Sequence, residues 1–260
     1  MVRNTEGKLV KIENPESLTV VGDLHGDLES FEKILGSWDG MENNYIVFLG
    51  DYADRGKNGV EINEKLVELK DRENVVILKG NHEDYDNRGE PKFNPCDLIK
   101  EVKNKRGYWL PYFSEHLKPF FDGLGLAAIA DQEIMLVHGG ISSRIRSLDN
   151  LRNPSWSEED ILWSDPSNSL GERYNRRGAG VEFGEDVTET VLKNVGANLL
   201  IRSHQPRLAS DGPHNTQKRV VTISSTNVYG GRPHYLEIPG SKISEVASSP
   251  ADIRKYAKFV

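Results

Sequence analysis

Residues able to bind metal or move protons recur in this chain at one kind of place, the glycine or short polar turn after an apolar run. Asp23 and His25 lie in Gly22-Asp23-Leu24-His25-Gly26-Asp27. Asp51, Asp54 and Arg55 lie in Gly50-Asp51-Tyr52-Ala53-Asp54-Arg55-Gly56, and Asn81 and His82 in Lys79-Gly80-Asn81-His82-Glu83-Asp84. His138 precedes Gly139-Gly140, and His204 follows Arg202-Ser203. Taken singly, each has an ordinary structural reading: an Asp-x-x-Asp-Arg after a strand is commonly a surface ion pair, and a lone strand-end histidine is commonly structural. Repetition changes the balance. Four of the seven histidines stand at strand ends, leaving His116, His214 and His234 as ordinary surface or core residues.

The donor types fit one another. Imidazole, carboxylate and amide oxygen together suit Mn²⁺, Fe and Zn²⁺, and suit Ca²⁺ poorly because it prefers all-oxygen cages. The candidate ligands are too many for one tetrahedral zinc and right for two ions sharing a carboxylate. Two such ions, about 3.5–4 Å apart, clamp the attacking and leaving oxygens of an in-line displacement and lower the pKa of bound water toward roughly 7.

Bringing these residues together requires strands that end on one edge. Leu18-Thr19-Val20-Val21, Tyr45-Ile46-Val47-Phe48-Leu49 and Val75-Val76-Ile77-Leu78 read as buried strands. Helices between them are predicted from Leu28, Phe31, Leu35 and Trp38, and from Ile62, Leu66 and Leu69. This alternation predicts an α/β layered domain, in which strand ends on one edge face a common crevice. Residues 84–122 mix turn residues with a basic helix candidate around residues 100–106, most simply a solvated face. Strands resume at residues 124–130 and at Ile134-Met135-Leu136-Val137, with Asp131-Gln132 as a hairpin turn. Beyond Trp163-Ser164-Asp165-Pro166, a glycine-rich loop (Arg176-Arg177-Gly178-Ala179-Gly180) precedes a helix carrying Val187, Val191 and Val195. Strands then lead to His204 and to Ser224-Ser225-Thr226-Asn227, and residues 234–238 form a last strand closing the regular part. In the tail, 241–260, Ser249, Pro250 and Asp252 predict a helix start with Ile253, Tyr256, Ala257 and Val260 on one face, docked on the protein's own core.

Composition sets the outer bounds. The 260 residues, 37% apolar and 28% charged, describe a globular chain, read as one domain over 1–260. A net charge of −7 argues against a general nucleic-acid binder. No apolar run is long enough to span a membrane. One cysteine, Cys96, excludes an internal disulfide framework, and the first residues lack an apolar leader. The expectation is a cytoplasmic protein without nucleic-acid or membrane partners.

The three N-terminal blocks, Gly22-Asp23-Leu24-His25-Gly26, Gly50 to Gly56 and Gly80-Asn81-His82-Glu83, resemble the signature of the calcineurin-like metallophosphoesterase superfamily. Leu162-Trp163-Ser164-Asp165-Pro166, Arg177-Gly178-Ala179-Gly180, Phe183-Gly184 and Arg202-Ser203-His204-Gln205 are similar, more narrowly, to serine/threonine protein phosphatases of the PPP family. The likeness runs from about residue 18 to residue 238. It implies a β-sandwich flanked by helices in four αββα layers. It implies two divalent or trivalent metal ions, most readily Mn in vitro, with Fe or Zn as other possibilities. Asp23, His25 and Asp51 would hold one, and Asp51, Asn81, His138 and His204 the other, with Asp51 bridging. It also implies His82 as general acid oriented by Asp54, Arg55 and Arg177 as phosphate ligands, and direct attack by a metal-bridging water on phosphoserine or phosphothreonine in proteins. Departures are Asp27, where many members have Gln, and Ser224-Ser225-Thr226-Asn227-Val228-Tyr229, in which Tyr229 is displaced by one position from the family's Ser-Ala-Pro-Asn-Tyr block.

Two other readings remain. A dinucleoside-polyphosphate or nucleotide hydrolase, or a broad phosphomonoesterase, would share the first three blocks. A binding protein with a dead site would share the fold, although every expected ligand is present. Nothing in the sequence names a regulatory subunit.

Overall fold

Along the strands that precede the metal-type residues, alternate side chains enter two different cores. Tyr45, Val47 and Leu49 go to one, Ile46 and Phe48 to the other; Val76 and Leu78 part from Val75 and Ile77 in the same way. Strands so apolar on both faces must be covered on both. The computed structural model, which describes residues 4–260, shows how; residues 1–3 of the N-terminal stretch read above lie outside it.

A five-stranded sheet runs in the order Ala257–Phe259, His234–Pro239, Ser17–Val21, Asn44–Phe48, Val75–Ile77, its last three strands parallel. A seven-stranded sheet runs Asn4–Glu6, Leu9–Ile12, Ala127–Ala130, Ile134–Val137, Leu199–Arg202, Val220–Thr222, His214–Gln217. Leu18, Val20, Tyr45 and Val47 of the first sheet share a core with Leu136, Leu199, Ile201 and Val221 of the second, so the sheets pack face to face. The outer face of the five-stranded sheet carries Phe31, Ile34, Val60, Leu66, Val102 and Phe121 from helices. The outer face of the seven-stranded sheet carries Leu162, Val187, Val191 and Val195. The αββα sandwich anticipated from the sequence is what forms. Among the described residues no helix is long and apolar enough to cross a membrane.

The predicted helices appear as Leu28–Ser37, Gly59–Leu69 and Glu185–Val195. Asp27 caps the first, accepting hydrogen bonds from the Ser30 N–H and hydroxyl. The hairpin at Asp131-Gln132 is present, both residues at positive φ as a type I′ turn requires. Leu98–Arg106 is the basic helix; Lys105 pairs with Glu61 and Glu101, and Arg106 with Glu64, so these charges brace the neighbouring helix.

Two expectations need correction. His234–Pro239 does not close the regular structure, because a helix at Ile243–Ser248 follows. The tail is also not one helix: Pro250–Tyr256 is a 3-10 helix, and Ala257–Phe259 is a strand antiparallel to His234–Pro239. The physical reason is the sheet edge at His234–Pro239, whose unpaired backbone groups take the last residues as a partner. Ile253 is nevertheless buried in the sandwich core, and Tyr256 and Ala257 pack against it, so the tail docks on the chain itself as expected. Burying a side chain of this size contributes about 1.5–3 kcal/mol.

Candidate active site

The strand ends deliver their side chains through backbone that non-glycine residues rarely adopt. His25, Asp51, Asp54, Arg55 and His204 all have positive φ, between 46° and 69°. Such conformations cost of order 1–3 kcal/mol each and persist where surroundings over-determine them. Here they do. The Leu24 and His25 N–H groups both donate to the Asp51 carbonyl at 3.1 and 2.8 Å, and Gly56 N–H donates to the His25 carbonyl at 2.9 Å. Gly50, at φ 113°, lies so close to Gly80 that a Cβ would stand 2.4 Å from the Gly80 nitrogen. Only glycine lets the Asp51 and Asn81 loops abut.

The side chains so delivered converge. The two carboxylate oxygens of Asp51 face different imidazoles, Oδ2 lying 3.5 Å from His25 Nε2 and Oδ1 3.3 Å from His138 Nε2. His138 Nε2 is also 3.0 Å from Asn81 Oδ1 and 3.2 Å from His204 Nδ1. Asp23 Oδ2 is 3.9 Å from His25 Nε2. Among the described residues, two groups bring one ligand atom from each member within 4.8 Å of the others: His25, Asp51 and His82, and Asp51, His138 and His204. Asp51 belongs to both. His25 and His138 each turn Nδ1 to a backbone carbonyl, of Ala53 and Leu49, at 3.0 Å. A carbonyl accepts only, so each Nδ1 carries the proton and each Nε2 offers its lone pair inward.

These residues fit a pair of cations. Asp23 Oδ2 is buried and accepts no hydrogen bond. His138 Nε2 points a lone pair at Asn81 Oδ1 and an Asp51 oxygen, an arrangement of acceptors that a cation satisfies. Burial pushes the Asp23 carboxyl up despite hydrogen bonds from Ser203 and His204, and pushes Asp51 up further. Burial also holds His25 down at about 3, assisted by the nearby His82 charge, and holds His138 and His204 well below the usual imidazole range. The neutral imidazoles are in the state that metal binding requires, whereas the raised Asp23 and Asp51 carboxyls are buried anionic groups lacking the positive charge that a bound cation would supply.

His82 differs from its neighbours. Its Nδ1 lies 2.7 Å from Asp54 Oδ2. Burial opposes its charge, but Asp51, Asp54 and Glu83 outweigh burial and raise it to about 9. Burial likewise works against the Asp54 charge, yet bonds from His82, Leu98 and Asp97 hold Asp54 below its ordinary value. The segment 84–122, which outside its basic helix is hard to read in sequence, thus has a place. The Asp97 and Leu98 N–H groups bind Asp54 Oδ1, and Phe93 packs 4.4 Å from the His82 ring. Tyr85 gathers Phe93, Trp109, Phe113 and Phe121 behind it.

Above these donor groups opens a cleft of about 640 Å³ lined by Arg55, Arg177, Trp163, Arg207 and Tyr229. Despite its displaced position in sequence, Tyr229 reaches the site: its hydroxyl accepts from Arg55 Nε at 3.2 Å and lies 3.5 Å from His25 Nε2. The loop is tied down by Asp27, which accepts the Asn227 N–H at 2.9 Å. Arg177 is aimed by Asp165, whose Oδ2 accepts from Arg177 Nε at 2.7 Å and whose Oδ1 accepts from the buried Arg202 at 3.0 Å. Burial lowers Arg202 to about 10, with Asp165 and Asp23 opposing the fall.

Several supporting residues were not singled out from sequence. Glu83 accepts the N–H groups of Gly80, Asp51 and Tyr52, joining the two abutting loops through one buried carboxylate. Ser203 donates its hydroxyl to Asp23 Oδ1, which also accepts the His204 N–H at 2.9 Å. The signal for Glu83 was its place three residues after Gly80 at a turn start, the spacing of a capping box. No local pattern announces Ser203.

The sequence matches the calcineurin-like phosphoesterase family over residues 17–208, and the chain belongs to that family of metal-binding phosphoester hydrolases. A serine/threonine-protein phosphatase of Caenorhabditis elegans is 31% identical over 268 residues, covering 95% of this chain and 56% of the relative. The chain therefore spans little more than half of that protein. Among solved structures, a protein serine/threonine phosphatase from Saccharomyces cerevisiae superposes with a TM-score of 0.73 at 23% identity, over 91% of this chain and 78% of that one. A proposed diadenosine tetraphosphatase superposes at 0.56 and 17% identity, over 90% and 95%. At such identities these two likenesses concern the fold.

Proposed function

We propose that this chain removes phosphate from phosphoserine and phosphothreonine in proteins, within one metallophosphoesterase domain acting in the cytoplasm. The observation that carries this reading is the Asp54–His82 pair at 2.7 Å beside the donor cluster. A seryl or threonyl alkoxide is a poor leaving group and needs a proton as its bond to phosphorus breaks. A pyrophosphate leaving group or an activated aryl oxide needs one far less. His82, whose charge Asp51, Asp54 and Glu83 favour and which faces the cleft, is placed to meet that need.

In this reading Asp23, His25 and Asp51 hold one cation, and Asp51, Asn81, His138 and His204 the other. When bound, two such ions neutralise phosphate charge and acidify water. His82 lies within the first donor group, but an imidazolium has no lone pair for a metal; its bond to Asp54 favours the role of acid. Arg55 and Arg177 take phosphate oxygens, because a guanidinium matches phosphate geometry and stays charged. Asp165 and Tyr229 hold the two forks in place beforehand. Water adds to phosphorus, the bond to the seryl oxygen breaks, and the His82 proton passes to that oxygen, leaving alcohol and inorganic phosphate.

The relative in Caenorhabditis elegans supports the protein substrate by its name. Rates measured side by side with Mn²⁺ on a phosphoserine peptide, a phosphotyrosine peptide and a dinucleoside tetraphosphate test it. The phosphoserine peptide should be cleaved fastest; faster cleavage of the tetraphosphate would replace this reading with the nucleotide one.

A further inference from the structure

We propose that Arg207 forms a second anion subsite, which selects phosphoproteins carrying an acidic side chain beside the phosphoresidue; the inference rests on the phosphoprotein reading above. Three guanidinium groups line the cleft, while its lining includes one carboxylate, Asp51, among the metal-type residues. Two of the three already have partners that hold them. Arg177 is bound by Asp165 at 2.7 Å, and Arg55 by the Tyr229 hydroxyl and the Pro95 carbonyl at 3.2 Å each.

Arg207 is different. Its guanidinium lies over the Tyr229 ring, 5.7 Å from the centroid, and among the described residues no carboxylate pairs with it. It is exposed, and the hydroxyl of the same ring touches Arg55. Arg55 and Arg207 thus contact the same aromatic side chain in one cleft, so a phosphate at the first and an anion at the second would be close neighbours. An extended peptide advances about 3.3–3.6 Å per residue, so a carboxylate one to three positions from the phosphoserine spans that gap. Stacking on Tyr229 limits the conformations of the arginine while leaving its N–H edge free for the incoming acid. In a chain of net charge −7, a local surplus of positive charge in the cleft also draws anionic segments toward it.

The test compares kcat/KM on matched phosphoserine peptides that differ only in flanking residues, Asp and Glu against Asn and Gln, placed before or after the phosphoserine. Because the pair is exposed, the full-length protein with Mn²⁺ should favour the acidic member of at least one pair by about two- to fivefold. That preference should shrink as salt rises. Arg207→Gln should bring the ratio to about one, and Arg207→Glu should invert it. Each ratio is taken within one protein, so a general loss of activity cancels, and melting curves confirm folding. Turnover of both peptides with the same ratio in wild type and Arg207→Gln overturns the subsite alone. Failure on every peptide, with cleavage of a dinucleoside tetraphosphate, overturns the phosphoprotein reading and the flank preference with it.

Discussion

Asp54 grips His82 with one carboxylate oxygen and the start of the Leu98–Arg106 helix with the other. Oδ2 stands 2.7 Å from His82 Nδ1, and Oδ1 takes the N–H groups of Asp97 and Leu98 at 2.5 and 2.7 Å. One buried carboxylate thus sets the position of the imidazole and favours its charge.

If His82 protonates the leaving oxygen, His82→Asn should lower kcat on phosphoserine by about 10²–10⁴-fold. The loss should be much smaller on an aryl phosphate with an activated leaving group. Asp54→Asn keeps the acceptor for the two N–H groups but removes one of the charges, with those of Asp51 and Glu83, that raise the His82 pKa. An acid works while protonated, so activity falls as pH rises through that pKa, and lowering the pKa moves the alkaline limb to lower pH. Equal losses on both substrates, or an unmoved limb, would take the proton-donor role away from His82.

Asp51 is the one residue common to both donor groups. Asp51→Asn should be the most damaging single substitution in the chain, and metal analysis should show the loss of about one of two bound ions. Wild-type protein stripped with chelator should lose activity and recover it with Mn²⁺. Full activity without metal would end the dimetal reading.

Arg177 carries a fork already aimed by Asp165. Arg177→Ala should raise KM for phosphorylated peptides by about 10- to 100-fold, the range of a hydrogen bond to a charged group at 1.5–3 kcal/mol. An unchanged KM would move the loop off the phosphate. Arg177→Lys should fall between, since lysine keeps the charge and loses the fork.

His234 is a stability probe away from the cleft. Burial lowers it to about 4; the Arg232 carbonyl opposes this and the Arg254 charge adds to it. The unfolded chain takes up the proton as pH falls below about 6.5, whereas the folded chain does so only near 4. Stability is therefore lost as pH falls across that window, by about 3 kcal/mol in all at 1.4 kcal/mol per unit. Urea unfolding at several pH values should show a flatter dependence in His234→Gln than in wild type. Identical slopes would clear His234 of this role.

Much of this was legible because the signals are local. Apolar runs ending in Gly-Asp, Gly-Asn or a histidine mark both the strands and their cargo, and the spacing of Asp51, Asp54 and Arg55 in one glycine-bounded loop is visible in sequence. Apart from the basic helix at Leu98–Arg106, residues 84–122 are hard to read, since their order comes from aromatic packing around Tyr85 rather than from a period. The tail was misjudged for a related reason. Ile253 and Tyr256 have helical spacing, but Ala257–Phe259 answers to an open sheet edge that lies elsewhere in the sequence.

The sequence by itself determined the donor types, their order at five strand ends and the family, because short-range patterning and motif chemistry need no long-range information. Tertiary structure alone decided which oxygen of Asp51 meets which imidazole, that Glu83 locks two loops together, and that Tyr229 reaches Arg55. It alone placed Arg207 over the Tyr229 ring. These are contacts between residues up to 174 positions apart. Such contacts are set by sheet pairing and by the strained turns at the strand ends, which place side chains to within a few tenths of an ångström where residue type alone says only what they could do.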